Sequence, residues 1–190
     1  MVKDCNLIEA QVLPLQNCSF GVHVNHDSLL PFKYRDILRT LLDFEVKFLL
    51  IGGMNFFLAH QPISTQDIDV LIEDSAENRQ RCELALIAME AEWGKGDSDW
   101  GPVSEKASGW LNQQFVYCLL TKFGPLDIFR SVKGVNSFQE ASKRSGSKDL
   151  EDGVIVPLLS ANDLLECQLV LPVECQRLDR VAYLKRLLGQ

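Results

Sequence analysis

Three aspartates carry the chemistry legible in this sequence. Asp67 and Asp69 flank Ile68 inside an otherwise apolar run, and Asp127 stands alone within Leu126-Asp127-Ile128-Phe129. Alternation along a strand puts Asp67 and Asp69 on one face and Ile68 on the other. Like charges held that close repel and are costly to desolvate, so a strand tolerates them best with a cation between them. Carboxylates from neighbouring strands can hold one or two Mg²⁺ ions, with Mn²⁺ as the alternative, while phosphate oxygens complete the shells. Two such ions clamp the attacking and leaving oxygens of an in-line phosphoryl displacement. Asp67, Asp69 and Asp127 are therefore expected to be both metal ligands and catalytic residues, with Asp127 also the general base toward an attacking hydroxyl.

Upstream, Gly52-Gly53 closes an apolar run. Bare backbone there would let a polyphosphate approach, with the first amides of a following helix aimed at the anion. Asn55, Ser64 and Thr65 are the expected side-chain contacts to that nucleotide or phosphate. Taken singly, a Gly-Gly is usually a tight turn and a D-x-D an edge or capping feature. Their order and spacing together make the argument.

The elements that must position these groups follow from periodicity. A helix is expected over about Pro31 to Phe44, capped by Asp27 or Ser28 and apolar at Ile37, Leu38 and Leu41. Val46 to Ile51 reads as a strand covered on both faces, Met54 to His60 as a short helix, and Asp67 to Ile72 as a second strand paired with the first. A long helix is expected from Ser75 to about Trp93, with Leu84 and Ile87 among its apolar positions. A polar loop follows from Gly94 to Gly109, whose Asp97 and Asp99 form a second D-x-D of little weight. Phe115 to Leu120 and Pro125 to Phe129 read as antiparallel strands joined by TKFG. After them come a helix from Asn136 to Arg144, a polar loop, a strand from Val154 to Leu158, and two helices, Ala161 to Leu171 and Glu174 to Leu188. The fold class is α+β: a mixed β-sheet with helices packed on it and a C-terminal helical pair. The expected divisions are an arm at 1–27, a catalytic core at 28–158, and C-terminal helices at 159–190 that pack on the core as one domain.

This combination resembles the nucleotidyltransferase superfamily with a polymerase-β-type core, in particular its minimal, toxin-like bacterial branch. That branch reads approximately G-G-x-A/N, an apolar helix, then H-G-x-x-x-T-x-D-I-D. Here Gly52, Gly53, Asn55, His60, Thr65, Asp67, Ile68 and Asp69 fall in that register, and Leu126-Asp127-Ile128 stands where a third carboxylate belongs. The resemblance implies transfer of a nucleoside monophosphate from an NTP, ATP among the candidates, to a hydroxyl or phosphate of a small molecule, a protein or a tRNA. Two positions depart from the pattern: Ile63 stands in place of an arginine and Gln168 in place of a lysine. Each lost charge-assisted contact is worth about 1.5–3 kcal/mol. Lys143, Arg144, Arg177 and Arg180 are the residues that would replace them. The alternatives are a catalytically degenerate fold acting as a toxin–antitoxin-type partner-binding module and, less well supported, a D-x-D glycosyltransferase.

Composition narrows the classes. A net charge of −7 argues against general polyanion binding. Hydrophobic residues at 46% of 190 suffice for a buried core. No apolar run approaches a membrane span and the N-terminus lacks a signal-peptide core, so a cytoplasmic protein without membrane contact is expected. Six scattered cysteines without a C-x-x-C pair predict neither a disulfide framework nor a zinc site. His23 and His26 lack a third ligand and read as surface residues. An antitoxin-like or homo-oligomeric partner is compatible with the resemblance.

Overall fold

The computed structural model describes residues 33–60, 63–150 and 153–190. The expected N-terminal arm, the caps Asp27 and Ser28, His23 and His26 lie outside these residues.

Helix α1 (Tyr34–Asp43) begins after Lys33 and buries Ile37, Leu38 and Leu41, the three apolar positions its spacing predicts. Strand β1 (Phe48–Ile51) is buried along its whole length. It runs without a loop into α2 (Gly52–Ala59), so the two glycines are the first helical turn rather than a turn before the helix. Strand β2 (Ile68–Ile72) pairs antiparallel with β1, Ile51 opposite Asp69. Asp67 therefore sits one residue before the strand.

Helix α3 (Ala76–Ala88) is capped by Ser75, whose hydroxyl accepts the Asn78 amide at 3.2 Å. It stops well short of Trp93. Glu90 takes a positive φ of 53° and turns the chain into β3 (Glu92–Trp93). Leu84 and Ile87 face solvent, while Glu83 is buried on the same helix. The Glu83 carboxylate accepts the amides of Gly109 at 2.9 Å and Leu111 at 3.0 Å, which ties down the following loop. That loop contributes β4 (Gly101–Pro102) to the sheet. Trp93 and Trp110 stack at 5.2 Å beside Tyr117, so these aromatics anchor the loop to the body.

Strands β5 (Val116–Thr121) and β6 (Gly124–Phe129) form the expected antiparallel hairpin. Helix α4 (Phe138–Arg144) follows, capped by Ser137. The predicted polar loop after it contains an exposed strand, β7 (Gly146–Asp149), paired antiparallel with β8 (Ile155–Leu158). An edge strand exposed on both faces needs no apolar alternation, so its sequence carried no signal. Helices α5 (Ala161–Leu169) and α6 (Leu178–Leu187) complete the chain; residues 173–175 form a 3₁₀ turn instead of extending α6. Among the described residues no helix is long and apolar enough to cross a membrane. Cys82, Cys118 and Cys167 are in the thiol form. Cys175 is disulfide-bonded, a bond that the scattered spacing of the six cysteines did not announce.

The eight strands form one mixed sheet in the order β4-β3-β5-β6-β2-β1-β8-β7. The β2–β6 and β1–β8 pairs are parallel and the rest antiparallel. Each face carries its own apolar cluster. Phe48, Leu50, Ile68, Val70 and Ile72 join α1 and α3 on one face. Leu49, Ile51, Leu71 and Phe129 join α4, α5 and α6 on the other. Strand alternation assigns Asp69 and Asp127 to the second face.

Candidate functional site

Asp69 and Asp127 are direct register partners across the parallel pair β2–β6. Asp67, just ahead of β2, completes a cluster in which one carboxylate oxygen from each residue lies within 4.8 Å of the other two. Three acids at that spacing form a strongly unfavourable group without a counter-charge. Burial, then the Asp67 and Asp127 carboxylates, push Asp69 up to about 8. Burial and Asp67 push Asp127 up to about 6. A donor set made only of carboxylate oxygens suits a hard divalent cation.

The glycine pair is shaped around these acids. Gly52 has φ +62°, and a Cβ there would overlap Oδ2 of Asp69. The Gly53 amide hydrogen-bonds the Asp69 carboxylate. A Cβ on Gly53 would come 2.6 Å from Oγ1 of Thr65. The Thr65 hydroxyl, in turn, donates at 3.3 Å toward Oδ1 and the carbonyl of Asp67. The segment Gly52-Gly53 and the residues from Thr65 to Asp69 thus form one interlocked unit.

Of the remaining predicted contacts, Ser64 is exposed and Asn55 is fully buried. The Asn55 amide nitrogen donates to the carbonyls of Leu50 at 2.7 Å and Leu159 at 3.0 Å, pinning α2 to the strand ends. Its Oδ1 is buried without a hydrogen-bond partner among the described residues. His60 packs against Phe56 and Tyr183, and burial lowers its proton affinity. That makes His60 a poorer source of the positive charge that a helix C-terminus or a phosphate favours.

Of the four basic residues that could replace the charges missing at Ile63 and Gln168, Arg180 is at the site. Arg180 on α6 lies over the Phe56 ring at 5.6 Å. Its positive charge acts on Asp69, and its Nη2 is 3.9 Å from the position a Gly53 Cβ would take. Arg144 is instead engaged with Asp163 at 2.7 Å, and Lys143 with Glu140 at 2.8 Å. Gln168 accepts the Arg177 amide at 2.8 Å, and Ile63 packs against the second apolar cluster. Both departing positions therefore hold the fold together. Arg180 also borders a small open cleft with Gly52, Asp69 and Gln168, whose apolar walls include Val132, Leu164 and Leu184.

Sequence reasoning did not single out Cys118. It faces Asp127 across the hairpin and hydrogen-bonds its carboxylate, while burial and then the Asp127 charge push the thiol up to about 12. The signal was present: strands joined through Lys122-Phe123 pair Thr121 with Gly124, and counting back reaches Cys118 and Asp127.

No protein family and no curated protein matches the chain by sequence. Among solved structures, it is similar to the antibiotic-resistance factor ANT(2'')-Ia, with a TM-score of 0.52, 13% identity and 82% of each chain covered. A candidate nucleotidyltransferase of Thermotoga maritima aligns over 82% of this chain and 90% of its own, at TM-score 0.44 and 15% identity. The chain has a nucleotidyltransferase-type fold.

Proposed function

We propose that this protein is a metal-dependent nucleotidyltransferase, moving a nucleoside monophosphate from an NTP to a hydroxyl or phosphate of an acceptor, with the bond between the α- and β-phosphates broken and pyrophosphate released. The observation that carries the proposal is the meeting of Asp67, Asp69 and Asp127 within 4.8 Å, beside a helix that begins with two glycines. The three carboxylates would hold Mg²⁺ or Mn²⁺. Such a cation supplies charge neutralisation for the triphosphate and for the oxygens between which the phosphoryl group moves. Gly52 and Gly53 keep the α2 backbone open to phosphate oxygens. Arg180 adds the positive charge missing at Ile63 and Gln168, and Thr65 keeps Asp67 oriented. Asp127 takes the proton from the acceptor hydroxyl.

The second reading, a nucleotidyltransferase-type fold used as a partner-binding module of toxin–antitoxin type, is favoured by Ile63 and Gln168. Isothermal titration with ATP, GTP, CTP and UTP in Mg²⁺ separates the two. The enzyme reading expects at least one nucleotide to bind, and Asp67→Ala and Asp69→Ala each to abolish that binding. If none of the four binds, the module reading stands instead.

A further inference from the structure

Each carboxylate of the triad has its own neutral hydrogen-bond donor. Thr65 donates its hydroxyl to Asp67. The Gly53 backbone amide serves Asp69. The thiol of Cys118 serves Asp127. The donors come from three different places in the chain: the segment before β2, the start of α2, and the neighbouring strand β5.

Cys118 reaches its position through the hairpin register. It is the cross-strand partner of Asp127, and opposed residues on an antiparallel pair project to the same face. Tyr117 and Leu119 on either side of it are buried in the first apolar cluster, so the strand is fixed in this alternation. An unrestrained aspartate carboxylate turns about two side-chain bonds. A donor on one oxygen selects among those orientations and leaves the other lone pairs available to a cation. A lysine or arginine at the same place would orient Asp127 equally well. Its charge, however, would compete with the metal. A thiol is a weak, uncharged donor and does not compete.

We propose that Cys118 is the positioning residue for Asp127 in divalent-cation binding. The proposal rests on the metal reading given above. It places the determinant of the third ligand's orientation on β5, outside the motif that carries the other two aspartates. The role belongs to the donor hydrogen rather than to sulfur. Serine should therefore substitute, whereas alanine and valine should not.

The test is Mn²⁺ binding to the full chain without nucleotide, followed by electron paramagnetic resonance of the free ion. Cys118→Ala and Cys118→Val are expected to weaken Mn²⁺ roughly 10-fold, a typical cost of losing a group that orients a metal ligand. Cys118→Ser is expected to bind nearly as tightly as the parent. Thermal melting in EDTA checks that each variant is folded, and valine retains strand preference should alanine loosen the hairpin. If the parent binds Mn²⁺ and the alanine and valine variants bind equally well, the positioning role is overturned while the metal reading stands. Equal weakening in the serine variant overturns the donor argument. If the parent itself does not bind Mn²⁺, the metal reading falls and this inference falls with it.

Discussion

Gly52 lies directly against the carboxylate of Asp69, with no room between them for a methyl group and with a positive φ that disfavours other residues. Ile51 and Asp69 are paired across β1 and β2, so the glycine that opens α2 falls beside the acid by sheet register. The glycine that opens α2 therefore makes space for the acid beside it, and on the proposed reading the same bare backbone would admit a phosphate.

Gly52→Ala should be destabilising on both counts, by at least about 2 kcal/mol in urea unfolding. Gly101→Ala is the control, since a Cβ there meets nothing within 4 Å. It should change stability by no more than about 0.5 kcal/mol. Equal effects at the two positions would remove the steric account of the motif.

The acid cluster predicts an inverted pH dependence. In the folded protein Asp69 is pushed up to about 8 and Asp127 to about 6, against an ordinary value of 3.8. Between those values the native state retains protons that the unfolded chain has released. Stability should therefore fall as pH rises from about 4 to about 8, then level off. Melting in EDTA across that window should show the fall, and Mg²⁺ should diminish it. Asp69→Asn should raise stability near pH 8 in EDTA by at least about 1.4 kcal/mol, the equivalent of one pKa unit. Stability that rises through this window would contradict the cluster.

Arg180 and Arg144 should behave differently. Arg180 borders the glycine pair, whereas Arg144 is tied to Asp163. Calorimetry should find Mg²⁺–NTP binding weakened about 10-fold in Arg180→Ala, in keeping with loss of one charge-assisted contact. Arg144→Ala should bind nucleotide as the parent does. The reverse pattern would assign the phosphate contact to the wrong helix.

Glu83 should govern the loop it holds. Glu83→Ala strands two amides, those of Gly109 and Leu111, and should cost about 2 kcal/mol. Hydrogen exchange should quicken across residues 94–111. Unchanged exchange there would mean that the stacked Trp93 and Trp110 hold the loop without it.

Much of the candidate site's clustering was legible because its motif is local. Gly52-Gly53 and Asp67-Ile68-Asp69 are joined by a single short helix and loop, and Asp127 declared itself as a lone acid among apolar neighbours. What was hidden depends on pairing or on distance along the chain. Arg180 could be named only as one of four basic residues, because the packing of α6 decides which of them meets α2. Cys118 passed as a small apolar residue, since its significance lies in hairpin register. Glu83 was overlooked because a buried acid on a helix announces itself only through the amides it accepts. Edge strand β7 had no burial pattern to read, and α3 was drawn too long because the break at Glu90 uses no Gly or Pro.

The central claim is that Asp67, Asp69 and Asp127 together hold a divalent cation that meets a nucleotide triphosphate. Anomalous diffraction from crystals soaked in Mn²⁺ and a non-hydrolysable NTP tests it most directly. The account predicts an anomalous peak bonded to oxygens of all three carboxylates, with the triphosphate lying over Gly52 and Gly53. Triphosphate bound elsewhere, or a triad without a peak beside a well-ordered nucleotide, would contradict it.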